Sequence, residues 1–110
     1  MEPEVVVTWD ADAFDDFEAL TNRAERRAAL AAIGKLRDLG AGLGPPHMKL
    51  LRGESGLMEL RPRQGASPVR LIYRRRGDAF VILAAAVKAD KADFGRAVAA
   101  ARTRYVRYES

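Results

Sequence analysis

The sequence predicts an α+β fold in the order β-α-α-β-β-β-α, with an antiparallel-rich sheet packed against helices. Three observations predict it. Apolar runs at 57–61, 69–74 and 80–87 are separated only by the turn-like breaks 64–68 and 76–78, the pattern of hairpin-connected strands. Ahead of them, Phe14, Phe17 and Leu20, then Leu30, Ile33, Leu36 and Leu39, recur at helical spacing. After them, Phe94, Ala97, Val98, Ala101 and Tyr105 do the same.

Each element has its own local reason. Residues 4–9 are β-branched and aromatic, which suits a first strand. Asp10 or Asp12 offers an N-cap for a helix with acidic first turns, which its dipole favours. Asn22 and Glu25 have capping-box spacing ahead of a second helix over 23–39, and Gly40 stops it. The two helices form an αα-hairpin. Residues 40–46, rich in Gly and Pro, are a connector, and 47–53 lead into the sheet. The run 80–87 is apolar at consecutive positions, as expected of a strand covered on both sides. Asp90 or Asp93 caps the last helix, and the basic tail 102–110 is expected to fray. The first strand precedes two helices, so it joins the sheet from outside the three-stranded meander.

Composition narrows the class. A chain of 110 residues, 48% hydrophobic and 31% charged, is read as one globular domain, 1–110. It has no cysteine and one histidine, His47, so neither a disulfide framework nor a thiolate or histidine-rich metal site is expected. No apolar run approaches the roughly 20 residues of a membrane helix, and the start lacks a basic leader region, which predicts a cytoplasmic protein without a membrane partner. Net charge is +4 and uneven. Residues 1–20 carry seven acids and no Lys or Arg, while 49–76 carry eight basic residues and two acids. That asymmetry points to a basic face for a polyanion, nucleic acid first.

Two arginines fall within strands. By alternation, Leu57, Glu59 and Arg61 share one face, as do Arg70, Ile72 and Arg74. If the two strands pair through the intervening turn, Arg61 and Arg70 are neighbours. They are either charges that protect a sheet edge or an anion-binding face. Lys49 and Arg52 lie just before the strand that carries Arg61, and Arg63 and Arg74 belong to the same basic stretch.

These residues resemble a known family. The segment Gly44-Pro45-Pro46-His47-Met48-Lys49-Leu50-Leu51, then Gly56-Leu57-Met58-Glu59-Leu60-Arg61, then Val69-Arg70-Leu71-Ile72-Tyr73, then 81–88 and Ala101-Arg102 follow in the order seen in the RelE/ParE superfamily of type II toxins. The match is to its phage-derived, HigB-like branch. The resemblance implies a toxin that cleaves mRNA in the ribosomal A site without metal or cofactor, and a cognate antitoxin as partner. Basic residues of the concave sheet face hold the phosphate while the RNA 2′-hydroxyl attacks it. By motif position Arg61, Arg70, Lys88, Lys91 and Lys49 are the catalytic set, with Arg52, Arg63, Arg74 and His47 as RNA contacts. The family's G-F-x-K-K is here Ala85-Ala86-Val87-Lys88-Ala89-Asp90-Lys91, so the second lysine is displaced. Phe94 stands near where some relatives carry a tyrosine or histidine, and Tyr105 and Tyr108 are the substitutes on hand.

The chemistry fits these residue types. A guanidinium grips phosphate oxygens in a fixed fork. Crowded lysines supply a base or an acid, and histidine changes charge near neutral pH. Removing Arg61 or Arg70 is expected to abolish toxicity and leave the fold intact. Two rival readings stay open: a ParE-like DNA gyrase poison that cleaves nothing, and a nucleic-acid-binding domain without catalysis.

Overall fold

A computed structural model describes residues 5–109, so Glu4 of the expected first strand lies outside the described residues. The strands are β1 (Val7–Trp9), β2 (Met48–Leu50), β3 (Met58–Leu60), β4 (Val69–Arg76) and β5 (Ala79–Val87). The helices are α1 (Ala11–Glu18), α2 (Arg23–Leu39) and α3 (Lys91–Tyr105). The sheet order is β1-β5-β4-β3-β2. β2 to β5 form an antiparallel meander, and β1 joins β5 in parallel, with Val7 opposite Phe80 and Trp9 opposite Ile82. The first strand therefore enters from outside the meander, as expected. The meander itself has four strands instead of three. β2 was hidden in the sequence because Met48-Lys49-Leu50 is too short and too mixed to show a strand period.

The sheet is covered on both faces. On one, Phe17 of α1, Leu20 of the link between the helices, and Ala29, Ile33 and Leu36 of α2 bury Leu71, Tyr73, Phe80 and Ile82. On the other, Ala101 and Tyr105 of α3 bury Ile72, Val81, Leu83 and Ala84, with Phe94, Ala97 and Val98 half-buried beside them. A bulge at Leu83, between the pairs Ile72–Ala84 and Tyr73–Ile82, puts Leu83 and Ala84 on the same face. This double cover is why the run is apolar at every position from Phe80 to Ala85; Val87, at its end, is exposed. Among the described residues no helix is long and apolar enough to cross a membrane.

The helix stripes differ in detail from expectation. α2 buries Ala28, Ala29, Ala32, Ile33 and Leu36, while Leu30 and Leu39 point outward at 53% and 54% exposure. Alanines let the helix lie close to the sheet, so the buried stripe centres on them. Phe14 of α1 is 41% exposed and meets Trp9 edge-on, with ring centroids 5.5 Å apart. Asp10, not Asp12, caps α1, accepting from the amides of Asp12 and Ala13. Asn22 caps α2 through the Glu25 amide at 3.0 Å, but Glu25 does not close the box: its carboxylate accepts from the Ser67 hydroxyl instead. Asp90 caps α3.

The tail expected to fray is anchored. The totally buried Asp10 carboxylate accepts from Arg107 Nη1 at 2.9 Å and from the Tyr108 hydroxyl at 2.8 Å. Arg104 donates to Asp16 at 2.7 Å and to the carbonyl of the bulge residue Leu83 at 2.9 Å. The contacts to Asp10 and Asp16 reach from the C-terminal end of the described chain to its N-terminal half.

Candidate functional site

Register fixes which side chains share a face. Lys49 stands opposite Glu59, Glu59 opposite Ile72, and Ile72 opposite Ala84, so these four form one row on the α3 side. Arg70 stands opposite Ala86, whose methyl leaves space there. α3 covers the row at Ile72 and Ala84.

Arg61 sits one residue past β3. Its amide donates to the His47 carbonyl at 2.9 Å, which ties it to the residue before β2. Its side chain is 31% exposed, and Nε lies 4.0 Å from Glu59 Oε1. That nitrogen is buried and makes no hydrogen bond among the described residues. The guanidinium rests on Gly65 in the 3-10 turn Pro62–Gly65, where a Cβ would stand 2.7 Å from Nη2. Arg61 is thus held in place with most of its donors free.

Arg70 is a different case. Its Nε donates to Glu59 Oε1 at 2.6 Å, and Nη1 donates to the carbonyls of Ser67 and, at 2.9 Å, Val69. Nη2 donates to the Gly65 carbonyl at 3.3 Å. Four of the five guanidinium N–H groups are used inside the protein, and the side chain is 9% exposed. β4 is an interior strand, so Arg70 is not an edge charge. It is a brace that fastens the turn carrying Gly65 to the sheet, and Gly65 in turn seats Arg61.

The remaining basic residues divide between two ends of the molecule. Lys49 is exposed on β2, on the same face as Glu59. Lys88 follows β5; its amide donates to the Pro68 carbonyl at 2.7 Å and its Nζ lies 4.6 Å from the Phe94 ring centre. Lys91 opens α3 and is exposed. His47 and Arg63 share a groove with Arg61. Arg74 lies four residues along β4 from Arg70, about 13 Å away at the usual rise. There it stacks on Tyr105, 4.1 Å from the ring centre. Tyr105 therefore belongs to the far end, where Arg102 pairs with Glu54 through two hydrogen bonds of 2.9 and 2.8 Å. Tyr108 is bound to Asp10, and burial together with that carboxylate raises its phenol above the ordinary range. Arg52 is exposed in the loop before β3. Neither tyrosine stands beside Arg61 or Arg70.

Sequence reading missed Glu59 as a site residue. The signal was present: a carboxylate inside a strand, on the face that alternation gives to Arg61, with Arg70 on the next strand. It also missed Ser67, which joins the turn to α2 by donating to Glu25 and accepting from the Val69 amide at 3.1 Å.

A five-stranded sheet between a helix pair and a C-terminal helix is an α+β fold of the RelE kind. Solved structures agree. The free-state structure of an arginine-substituted Escherichia coli toxin RelE matches with a TM-score of 0.64 at 14% identity, covering 87% of this chain and 96% of that one. The YoeB–YefM complex from Staphylococcus aureus matches at 0.57 and 18%, covering 74% and 93%. The toxin–antitoxin complex RelBE2 of Mycobacterium tuberculosis matches at 0.52 and 24%, covering 82% and 98%. Residues 15–106 match the family described as phage derived protein Gp49-like (DUF891), and the chain belongs to that family. Comparison with curated proteins finds no match.

Proposed function

We propose that this chain is the toxin of a type II toxin–antitoxin system and that it cleaves mRNA, on the ribosome, without a metal. The observation that carries the reading is Arg61: a guanidinium seated on Gly65, short of acceptors, in a groove it shares with His47 and Arg63. Support comes also from the Gp49-like family and from fold neighbours described as toxins or toxin–antitoxin complexes. A cognate antitoxin is accordingly part of the proposal.

In this reading Arg61 binds the scissile phosphate and neutralises the charge that builds on the pentacoordinate phosphorus. The RNA 2′-oxygen bonds to phosphorus, the bond to the 5′-oxygen breaks, and a 2′,3′-cyclic phosphate and a 5′-hydroxyl result. One side chain takes the 2′-hydroxyl proton and another gives one to the leaving oxygen. Lys49, Lys88, Lys91 and His47 are the groups for these transfers and for the flanking phosphates. Arg70 acts through the turn it braces, as a positioning residue. Arg63 extends the RNA contact, while Arg52 and Arg74 lie outside the cluster and serve at most the longer path of the strand.

Induction in a bacterium, with mRNA 5′ ends mapped and plasmid supercoiling followed in parallel, tests the reading. New 5′ ends within coding regions, absent with Arg61→Ala, are expected. Intact transcripts with altered supercoiling would move the protein to the gyrase poisons.

A further inference from the structure

A cavity of about 480 Å³ lies at the far end of β4. It has the size of a small-ligand site, roughly 300–1,000 Å³. The loop between β2 and β3 lines it with Glu54 and Ser55, β4 with Arg74, and α3 with Arg102 and Tyr105. No residue lines both this cavity and the groove that holds Arg61.

Two neighbours fix Arg74 without using its donors. Its Cζ lies over the Tyr105 ring. Against Gly56 there is no spare room: a Cβ added there would stand 3.1 Å from Nε and 3.2 Å from Cζ of Arg74. The other three arginines of β4 all donate inside the protein. Arg70 meets Glu59 and three carbonyls, Arg75 donates to the Gly77 carbonyl at 2.8 Å, and Arg76 donates to the Tyr108 carbonyl at 3.2 Å. Arg74 is half-buried yet makes no side-chain hydrogen bond or ion pair among the described residues. Its position is set by packing, so a ligand meets a guanidinium whose freedom is already restricted.

Charge decides what the cavity takes. Glu54 is neutralised by Arg102 through their two hydrogen bonds. That leaves Arg74 as a cation without a partner and Glu109 as an exposed carboxylate on the wall. A single negative charge balances Arg74, while a multiply charged anion is opposed by Glu54 and Glu109. We propose that this cavity is a second ligand site, which binds one singly charged oxyanion, a carboxylate or a phosphodiester, in the fork of Arg74. Both groups match the fork with two oxygens. Ser55 and Tyr105 carry hydroxyls that add neutral donors beside it. The site stands on its own geometry and does not depend on mRNA cleavage.

The test uses the full-length chain, isotope-labelled for NMR and titrated at constant ionic strength with acetate, with dimethyl phosphate and, for comparison, with chloride and pyrophosphate. Saturable shifts are expected at the Arg74 Nε–H and at the amides of Ser55 and Gly56 with the first two anions. Arg74→Gln, with circular dichroism showing an intact fold, should weaken that binding at least about tenfold, and Arg75→Gln should leave it unchanged. Arg74→Lys, which keeps a cation beside Tyr105 but loses the fork, takes the place of Arg74→Gln if that variant does not fold. Tighter binding of the diester assigns the site to a nucleic-acid strand, and tighter binding of acetate assigns it to a carboxylate ligand; either upholds the oxyanion site. No saturable shift at Arg74, equal binding of chloride, tighter binding of pyrophosphate than of acetate and diester, or unchanged affinity in the Arg74 variant would overturn it.

Discussion

Glu59 and Arg70 form a buried ion pair between two interior strands, with Oε1 and Nε 2.6 Å apart and side chains 4% and 9% exposed. Each charge is solvated by the other and, for Arg70, by three carbonyls. Removing one partner strands the other in the interior. Glu59→Ala and Arg70→Ala are each expected to cost about 3–5 kcal/mol. This replaces the sequence-based expectation that Arg70→Ala leaves the fold intact. Thermal and urea melts decide: Arg70→Ala as stable as the parent would mean that the pair does not brace the sheet.

Arg61 carries the opposite expectation. It is part-exposed and its one carboxylate contact is long, so Arg61→Ala should change stability by only about 0.5 kcal/mol. Loss of a preorganised donor to the phosphate should slow RNA cleavage by about 10²–10³. Gly65→Ala should reproduce part of that loss. The added methyl meets Nη2, and φ of +95° suits glycine alone, so a stability cost of more than about 0.4–1 kcal/mol accompanies it. Cleavage assays on folded Arg61→Ala and Arg61→Lys proteins separate the fork from simple charge.

Tyr73 makes the protein sensitive to alkali. Its ring packs 5.8 Å from that of Phe80, and burial pushes its phenol up to about 12. A phenol raised above its unfolded value of 10.0 contributes stability that is complete below pH 10 and lost as pH rises through 12. Tyr73→Phe should therefore melt much like the parent at pH 7 and resist alkali better between pH 10 and 12. Melting curves across that window, with equal losses in both proteins, would place the sensitive group elsewhere.

Asp10 ties the two ends of the described chain together. It caps α1 and accepts from Arg107 and Tyr108. Asp10→Ala removes a cap and charge-assisted bonds, an expected loss of about 2–4 kcal/mol. Hydrogen exchange should then show the turn Val106–Tyr108 released while α2 stays protected. The neighbouring Asp12 is held below the ordinary carboxyl range by its hydrogen bond to Arg107 and by that residue's charge. Its share of the tether is present above the ordinary value of 3.8 and fades as pH falls below it.

What the sequence determined by itself is what local periodicity can encode. Two-residue alternation put Leu57 and Glu59, and Arg70 with Ile72 and Arg74, on the faces where they lie. The 3.6-residue period put Phe94, Ala97, Val98, Ala101 and Tyr105 on one stripe of α3. The continuous run 80–87 announced a strand covered twice. Those features depend only on the geometry of one element. The structure decided what depends on which elements meet. Ser67 reaches Glu25 across 42 residues and Arg107 reaches Asp10 across 97. Arg70 looks like a free cation in sequence, yet the chain folds a carboxylate and three carbonyls around it, while Arg61, nine positions earlier, keeps its donors. A guanidinium is an anion clamp or a structural brace according to the acceptors within about 3 Å of it, and no spacing along the chain records those.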